Sequence, residues 1–172
     1  MTSTLYLVRH GIAELPSGDT PDGERALTAA GTRKMMRAAL GLKRLGIVPD
    51  VVLSSPLRRA QETAALLAST LAPDLAVEPY EPLAPGTAPA DLLRGLRSYR
   101  AAAHLVLAGH QPDLGELASH LLTGSASLAP LPFKKGAVAA IEVASLPPRA
   151  AGVLRWFLTP KQLRTIGQVR SR

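Results

Sequence analysis

Three stretches of the chain set histidine and arginine directly after short apolar runs. Arg9-His10-Gly11 follows Leu5-Tyr6-Leu7-Val8, Ser54-Ser55-Pro56-Leu57-Arg58-Arg59 follows Val51-Val52-Leu53, and Gly109-His110 follows Leu105-Val106-Leu107-Ala108. Arginine presents a planar, permanent cation whose donors match phosphate oxygens, so several arginines at one locus imply a phosphoryl group. Histidine near neutral pH has a free ring nitrogen that attacks phosphorus and carries the phosphoryl group covalently. Nearby guanidinium groups depress the imidazole pKa and keep that nitrogen unprotonated. Glycine at position 11 lets the backbone approach a ligand closely. Each junction alone reads as a solvated loop. Their agreement points to one phosphoryl-transfer site.

The elements that position these residues follow from the apolar pattern. The continuous apolar runs before each junction are expected of strands buried on both faces. Ligands of an open parallel sheet bind beyond the carboxyl ends of its strands, which is where the junctions lie. Gly11–Glu24 reads as loop. Thr28 caps a helix from Ala29 to about Gly46. Ser55-Pro56 reads as an N-cap with proline at the first helical position, opening a helix to about Leu71. Leu75–Val77 is expected as a third strand, Pro79–Pro89 as loop, Ala90–Tyr99 as helix, and Pro112–Leu122 as helix. Ala137–Val143 and Gly152–Leu158 alternate more openly and are expected to form an antiparallel edge, followed by a short helix from Pro160. Alternating β and α elements predict one domain over residues 1–172, a three-layer α/β/α fold with a mostly parallel central sheet.

Composition narrows the chemistry. The 172 residues suit one domain, and 47% hydrophobic with 19% charged residues excludes a disordered or coiled-coil chain. Zero cysteines exclude a disulfide framework, a thiolate metal site and a cysteine nucleophile. No apolar run reaches the roughly 20 residues of a membrane span. With no basic leader before the first strand, a cytoplasmic location is expected. The formal net charge is +7, and residues 133–172 carry eight basic groups against the single acid Glu142. That basic segment is either a solvated face or a docking surface for an anionic partner. Aromatic residues are only 3%, which leaves little for base stacking and argues against nucleic acid. No His/Asp/Glu cluster has metal-ligand spacing and there is no G-x-x-x-x-G-K-[ST] loop, so neither a metal nor another cofactor is expected.

The motifs resemble those of a known family. Arg9-His10-Gly11 is similar to the signature of the histidine phosphatase superfamily, also called phosphoglycerate mutase-like. Arg25-Ala26-Leu27-Thr28-Ala29-Ala30-Gly31 resembles its R-x-L-T-x-x-G element, Ser55–Ala64 its S-P-x-x-R-A-x-x-T-A element, and Gly109-His110 the block with the second histidine. Trp156–Pro160 is similar to the tail of the small SixA-type phosphohistidine phosphatases. The resemblance implies that His10 is the nucleophile, that Arg9, Arg25 and Arg59 bind phosphate together with Gly11, and that His110 donates to the phosphoryl oxygens. Motif register selects Arg59 over Arg58, which is expected at the surface.

Larger members carry an acid that protonates an alkoxide leaving group. Here the inserts are short, and Glu81 is the candidate, although it reads equally well as a solvated loop carboxylate. Asp113 and Glu116 read as charges at a helix N-terminus. A weak acid site fits a phosphohistidine imidazole as leaving group better than a sugar hydroxyl. Together with that weak acid site, the resemblance implies as substrate a phosphorylated protein carrying phosphohistidine on a phosphotransfer domain. The alternatives are a small phosphate ester at the same site, or a non-catalytic anion-binding module. His104 and His120 are expected to be structural.

Overall fold

The computed structural model describes residues 2–168. Six strands form one sheet in the order β3-β2-β4-β1-β5-β6. They are β1 (Ser3–Arg9), β2 (Val51–Ser54), β3 (Val77–Pro79), β4 (His104–Gly109), β5 (Val138–Val143) and β6 (Val153–Leu158). The first four run parallel, while β5 is antiparallel to β1 and β6 to β5. The helices are α1 (Ala29–Arg44), α2 (Arg58–Leu71), α3 (Pro89–Gly95), α4 (Asp113–Thr123) and α5 (Pro160–Gln168). This is the α/β/α arrangement with a mixed, mostly parallel sheet that the sequence predicts.

Strand alternation divides the core in two. Leu5 and Leu7 of β1 point with Leu53, Leu105 and Leu107 toward Leu92 and Leu93 of α3 and Leu114, Leu117 and Leu121 of α4. Tyr6 and Val8 point the other way, with Val52 and Val106, onto Met35 and Leu42 of α1, Leu67 and Leu71 of α2, and Leu163 of α5. Burial on both faces explains why these strands read as unbroken apolar runs.

Several boundaries differ from expectation, each for a visible reason. The amide of Ser55 continues the sheet ladder by donating to the Ala108 carbonyl (2.9 Å), so α2 starts at Arg58 and Ser55 is not its cap. Leu75 donates to Ala72 in the turn after α2. The third strand therefore begins at Val77, paired with Val52. The Tyr80 hydroxyl donates to the Leu92 carbonyl (2.6 Å), an acceptor the helix would otherwise use, and α3 gives way to a 3-10 turn over Leu96–Tyr99. The expected loop after β3 contains another 3-10 turn, Glu81–Leu83. Finally, β5 is almost wholly buried rather than openly alternating, because Ala139 and Ile141 pack into one core and Val138 and Ala140 into the other, and β6 is the edge.

Candidate active site

Sheet register brings the three junctions level. Arg9 pairs with Gly109 and Ser54 with Ala108, so β1, β2 and β4 end side by side. The His10 amide then donates to the Gly109 carbonyl (3.0 Å), carrying the ladder one residue past the strands. His10, Ser55 and His110, distant along the chain, consequently meet at one edge. A cavity of about 570 Å³ opens there, lined by Arg9, His10, Arg25, Arg59 and His110. Asp22, Gln111, Asp113 and Lys135 share its wall.

His10 is only 6% exposed, and its Nδ1 lies 2.7 Å from the Gly11 carbonyl. A carbonyl only accepts, so Nδ1 carries the proton and Nε2 keeps its lone pair. Burial, joined by the charges of Arg59 and Arg9 and by His110, lowers the His10 pKa to about 3 against the opposing pull of the Gly11 bond. At neutral pH the ring is an uncharged nucleophile. The His110 ring sits 5.1 Å away, centroid to centroid. Burial foremost, then Arg59, lowers the His110 pKa to about 4.

Ser55 sets the orientation of His110. Its Oγ lies 2.8 Å from His110 Nε2 and also accepts the Leu57 amide (3.3 Å). Ser55 is fully buried and its hydroxyl proton meets no other acceptor among the described residues, so the hydroxyl donates to Nε2, which places the His110 proton on Nδ1. That Nδ1 is buried with no partner among the described residues, as are Arg9 Nε and Arg59 Nε. Buried donors without acceptors are uncommon in folded proteins. An anion in the cavity would supply what they lack.

The arginines are anchored in different ways. Arg9 is half-buried and donates through Nη1 to the Phe133 carbonyl (2.6 Å). Arg59, 5% exposed, donates to the Asp22 carbonyl (2.7 Å) and to Asp22 Oδ2 (3.0 Å). Arg25 holds Asp22 Oδ1 through Nε (2.8 Å). An internal carboxylate thus bridges two of the expected phosphate ligands, and those arginines, Arg25 foremost, hold the Asp22 carboxyl below the usual range. Arg58 is exposed and paired with Glu62, as motif register predicts.

Two of the sequence candidates stand elsewhere. Gly11 does not line the cavity, and its amide is taken by Thr63 Oγ1 (3.0 Å). Its contribution is the carbonyl on His10, and a side chain is excluded because a Cβ would lie 2.6 Å from Met35 Cγ. Glu81 is exposed on its 3-10 turn and is absent from the cavity wall. Asp113 is on that wall, where Oδ1 accepts the Gly86 amide (2.7 Å) and ties the 84–88 loop to the start of α4. The sequence reading missed Asp22, Ser55 as a partner of His110, and Thr63. Each left a trace: Ser55 and Thr63 are the fixed serine and threonine of the S-P-x-x-R-A-x-x-T-A element, and Asp22 lies three residues before Arg25. His104 is structural, with Nδ1 3.2 Å from the Tyr6 hydroxyl.

Comparison with known proteins identifies the family and the fold. The family model described as "Histidine phosphatase superfamily (branch 1)" matches residues 5–83. An uncharacterized protein of Picosynechococcus sp. is 42% identical over 123 residues, covering 70% of this chain and 73% of its own. A structure of the protein histidine phosphatase SixA complexed with tungstate superposes with a TM-score of 0.82 and 25% identity, over 93% of this chain and 99% of that one. The chain belongs to the histidine phosphatase superfamily. Within that superfamily its structure is of the SixA type. The fold is shared more widely, for an alpha-ribazole phosphatase from Shigella flexneri matches with a TM-score of 0.69 and 21% identity, over 91% and 96% of the two chains. Among the described residues no helix is long and apolar enough to cross a membrane.

Proposed function

We propose that the protein is a phosphatase that passes the phosphoryl group through His10 and acts on phosphohistidine in a protein. The observation that carries this reading is the unprotonated Nε2 of a buried, neutral His10 beside three buried donors that lack acceptors. In the first step Nε2 attacks phosphorus in line as the P–N bond to the substrate imidazole breaks. Arg9, Arg59 and the Nδ1 proton of His110 stabilise the charge spread over the equatorial oxygens. Arg25 joins them as the incoming phosphoryl group displaces the Asp22 carboxylate. A substrate imidazole protonated on its other nitrogen leaves as neutral imidazole and needs no acid from the enzyme. Water then attacks the phosphoenzyme, releasing inorganic phosphate and restoring His10.

The carboxylates at the cavity support this choice of leaving group. Asp22 is held ionised by Arg25 and Arg59 and is a poor proton donor, while Glu81 lies outside the cavity wall. The SixA likeness points the same way. A second reading, hydrolysis of a small phosphate ester, is favoured by the cavity volume, which falls in the range of small-molecule sites. Rates on a phosphohistidine peptide and on an alkyl phosphate separate the two. The proposal expects a kcat/KM ratio well above one for the peptide, little changed in Glu81→Gln and Asp113→Asn. An alkyl phosphate preference that either substitution abolishes would establish the second reading instead.

A further inference from the structure

A second cavity of about 400 Å³ adjoins the first, and Arg9 and Lys135 line both. Lys34, Lys134 and Arg164 complete its cationic wall, and among the described residues no acidic side chain lines it. Lys34 comes from α1, Arg164 from α5, and the two lysines from the turn before β5. The fold holds these three sources together. The Gly136 amide donates to the Arg9 carbonyl (3.1 Å), which clips the lysine turn to the catalytic arginine. Gly41 and Gly167 allow α1 and α5 to touch, since a Cβ at either would meet opposing backbone oxygen at 2.2 and 2.3 Å.

Four arginines elsewhere on the surface are paired, Arg25 with Asp22, Arg58 with Glu62, Arg94 with Asp91 and Arg155 with Glu142, while others such as Arg33, Arg97 and Arg149 stand apart in solvent. The groove differs in gathering five cations around one concavity. Among the described residues Lys34, Lys134, Lys135 and Arg164 form no ion pair. Like charges gathered without partners repel one another and oppose folding, while the same field attracts anions. The residue types indicate which anions. Phosphate is held best by planar, buried arginine, as in the catalytic cavity. Here three exposed lysines offer mobile point charges, suited to several carboxylates spread over a surface.

We infer that this basic groove binds the aspartate and glutamate side chains that flank the phosphohistidine of the protein substrate, while the phosphoryl group sits at His10. The inference rests on the phosphatase reading above and deepens it. Two peptides test it, each phosphorylated on one histidine, with three glutamates on either side in one and three glutamines in the other. At low salt the wild type is expected to hydrolyse the glutamate peptide with roughly tenfold higher kcat/KM. That ratio should fall to about one at ~0.5 M NaCl, where the Debye length is only a few ångströms. It should fall likewise in Lys34→Glu/Lys134→Glu/Arg164→Glu, or in Lys34→Gln/Lys134→Gln if the charge reversals unfold the chain.

Equal rates on the two peptides in wild type would overturn the inference and leave the phosphatase reading standing. So would a glutamate preference that survives in the folded variants. Equal peptide rates with a preference for a small bisphosphate would assign the groove to a small ligand instead. Hydrolysis of neither peptide would overturn the parent reading and the inference with it.

Discussion

The catalytic cavity and the basic groove share Arg9 and Lys135, yet they hold their cations in opposite ways. In the cavity Arg59 is buried, fixed by two bonds to Asp22, and set beside two buried imidazoles whose protons are assigned by Gly11 and Ser55. In the groove the lysines are exposed and make no ion pair among the described residues. Fixed, desolvated donors stabilise a transition state because they need no reorganisation when charge develops. Mobile, solvated charges act over distance and set encounter and selectivity. On the proposed reading, the cavity stabilises the transition state and the groove selects the substrate.

The largest expected effect tests that contrast. Arg59→Ala should lower kcat/KM by about 10²–10³-fold on acidic and neutral substrates alike. The adjacent Arg58→Ala removes only an exposed pair with Glu62, so its rate should stay within about twofold of wild type. Steady-state kinetics on both peptides reads the two together, and a loss at Arg58 equal to that at Arg59 would break the distinction.

A smaller effect is expected one contact back from the phosphate. Ser55→Ala leaves His110 Nε2 without its donor and frees the ring to take the other tautomer. A loss of about 10–100-fold, mainly in kcat, is the expectation, by analogy with the second shells of metal sites. Ser55→Thr keeps the hydroxyl and should restore much of it. Failure of that rescue would mean that packing, not the hydrogen bond, is what Ser55 supplies.

The smallest effect is on stability. His10 and His110 have folded pKa values of about 3 and 4, against roughly 6.5 when unfolded. Between those limits the unfolded chain binds more protons, so stability rises with pH across this window. It is fully present above about pH 6.5 and falls as the pH drops toward 4. Denaturant melts at pH 7 and pH 5 should show the loss, and His10→Asn should flatten the slope. A slope unchanged in that variant would contradict the neutral buried ring.

The strands and the gathering of their junction residues were legible because each buried run carries those residues at its own end, Val8 leading to Arg9-His10 and Ala108 to Gly109-His110. The contacts that tune the site were not. Ser55 meets His110 across 55 residues through the register of β2 and β4, and Thr63 meets Gly11 across 52 through the packing of α2 on the sheet. Neither meeting is local in the chain. Ser55-Pro56 carries a strong local signal for a helix cap, and the ladder bond to Ala108 overrides it. Glu81 shows the converse limit, since nearness in the loop order does not fix which carboxylate reaches the cavity. The basic excess after residue 132 was visible as a count. Its focus was not, because Lys134, Lys135 and Arg164 converge only once α5 packs on α1 and the turn is clipped to Arg9.

The central claim is that His10 accepts the phosphoryl group on Nε2. Rapid quenching of wild type mixed with a phosphohistidine peptide, followed by mass spectrometry under alkaline conditions, tests it most directly. The account predicts an acid-labile phosphoryl adduct on His10 that forms and decays within turnover and is absent from His10→Ala, which does not turn over. An adduct on another residue, or full activity in His10→Ala, would contradict it.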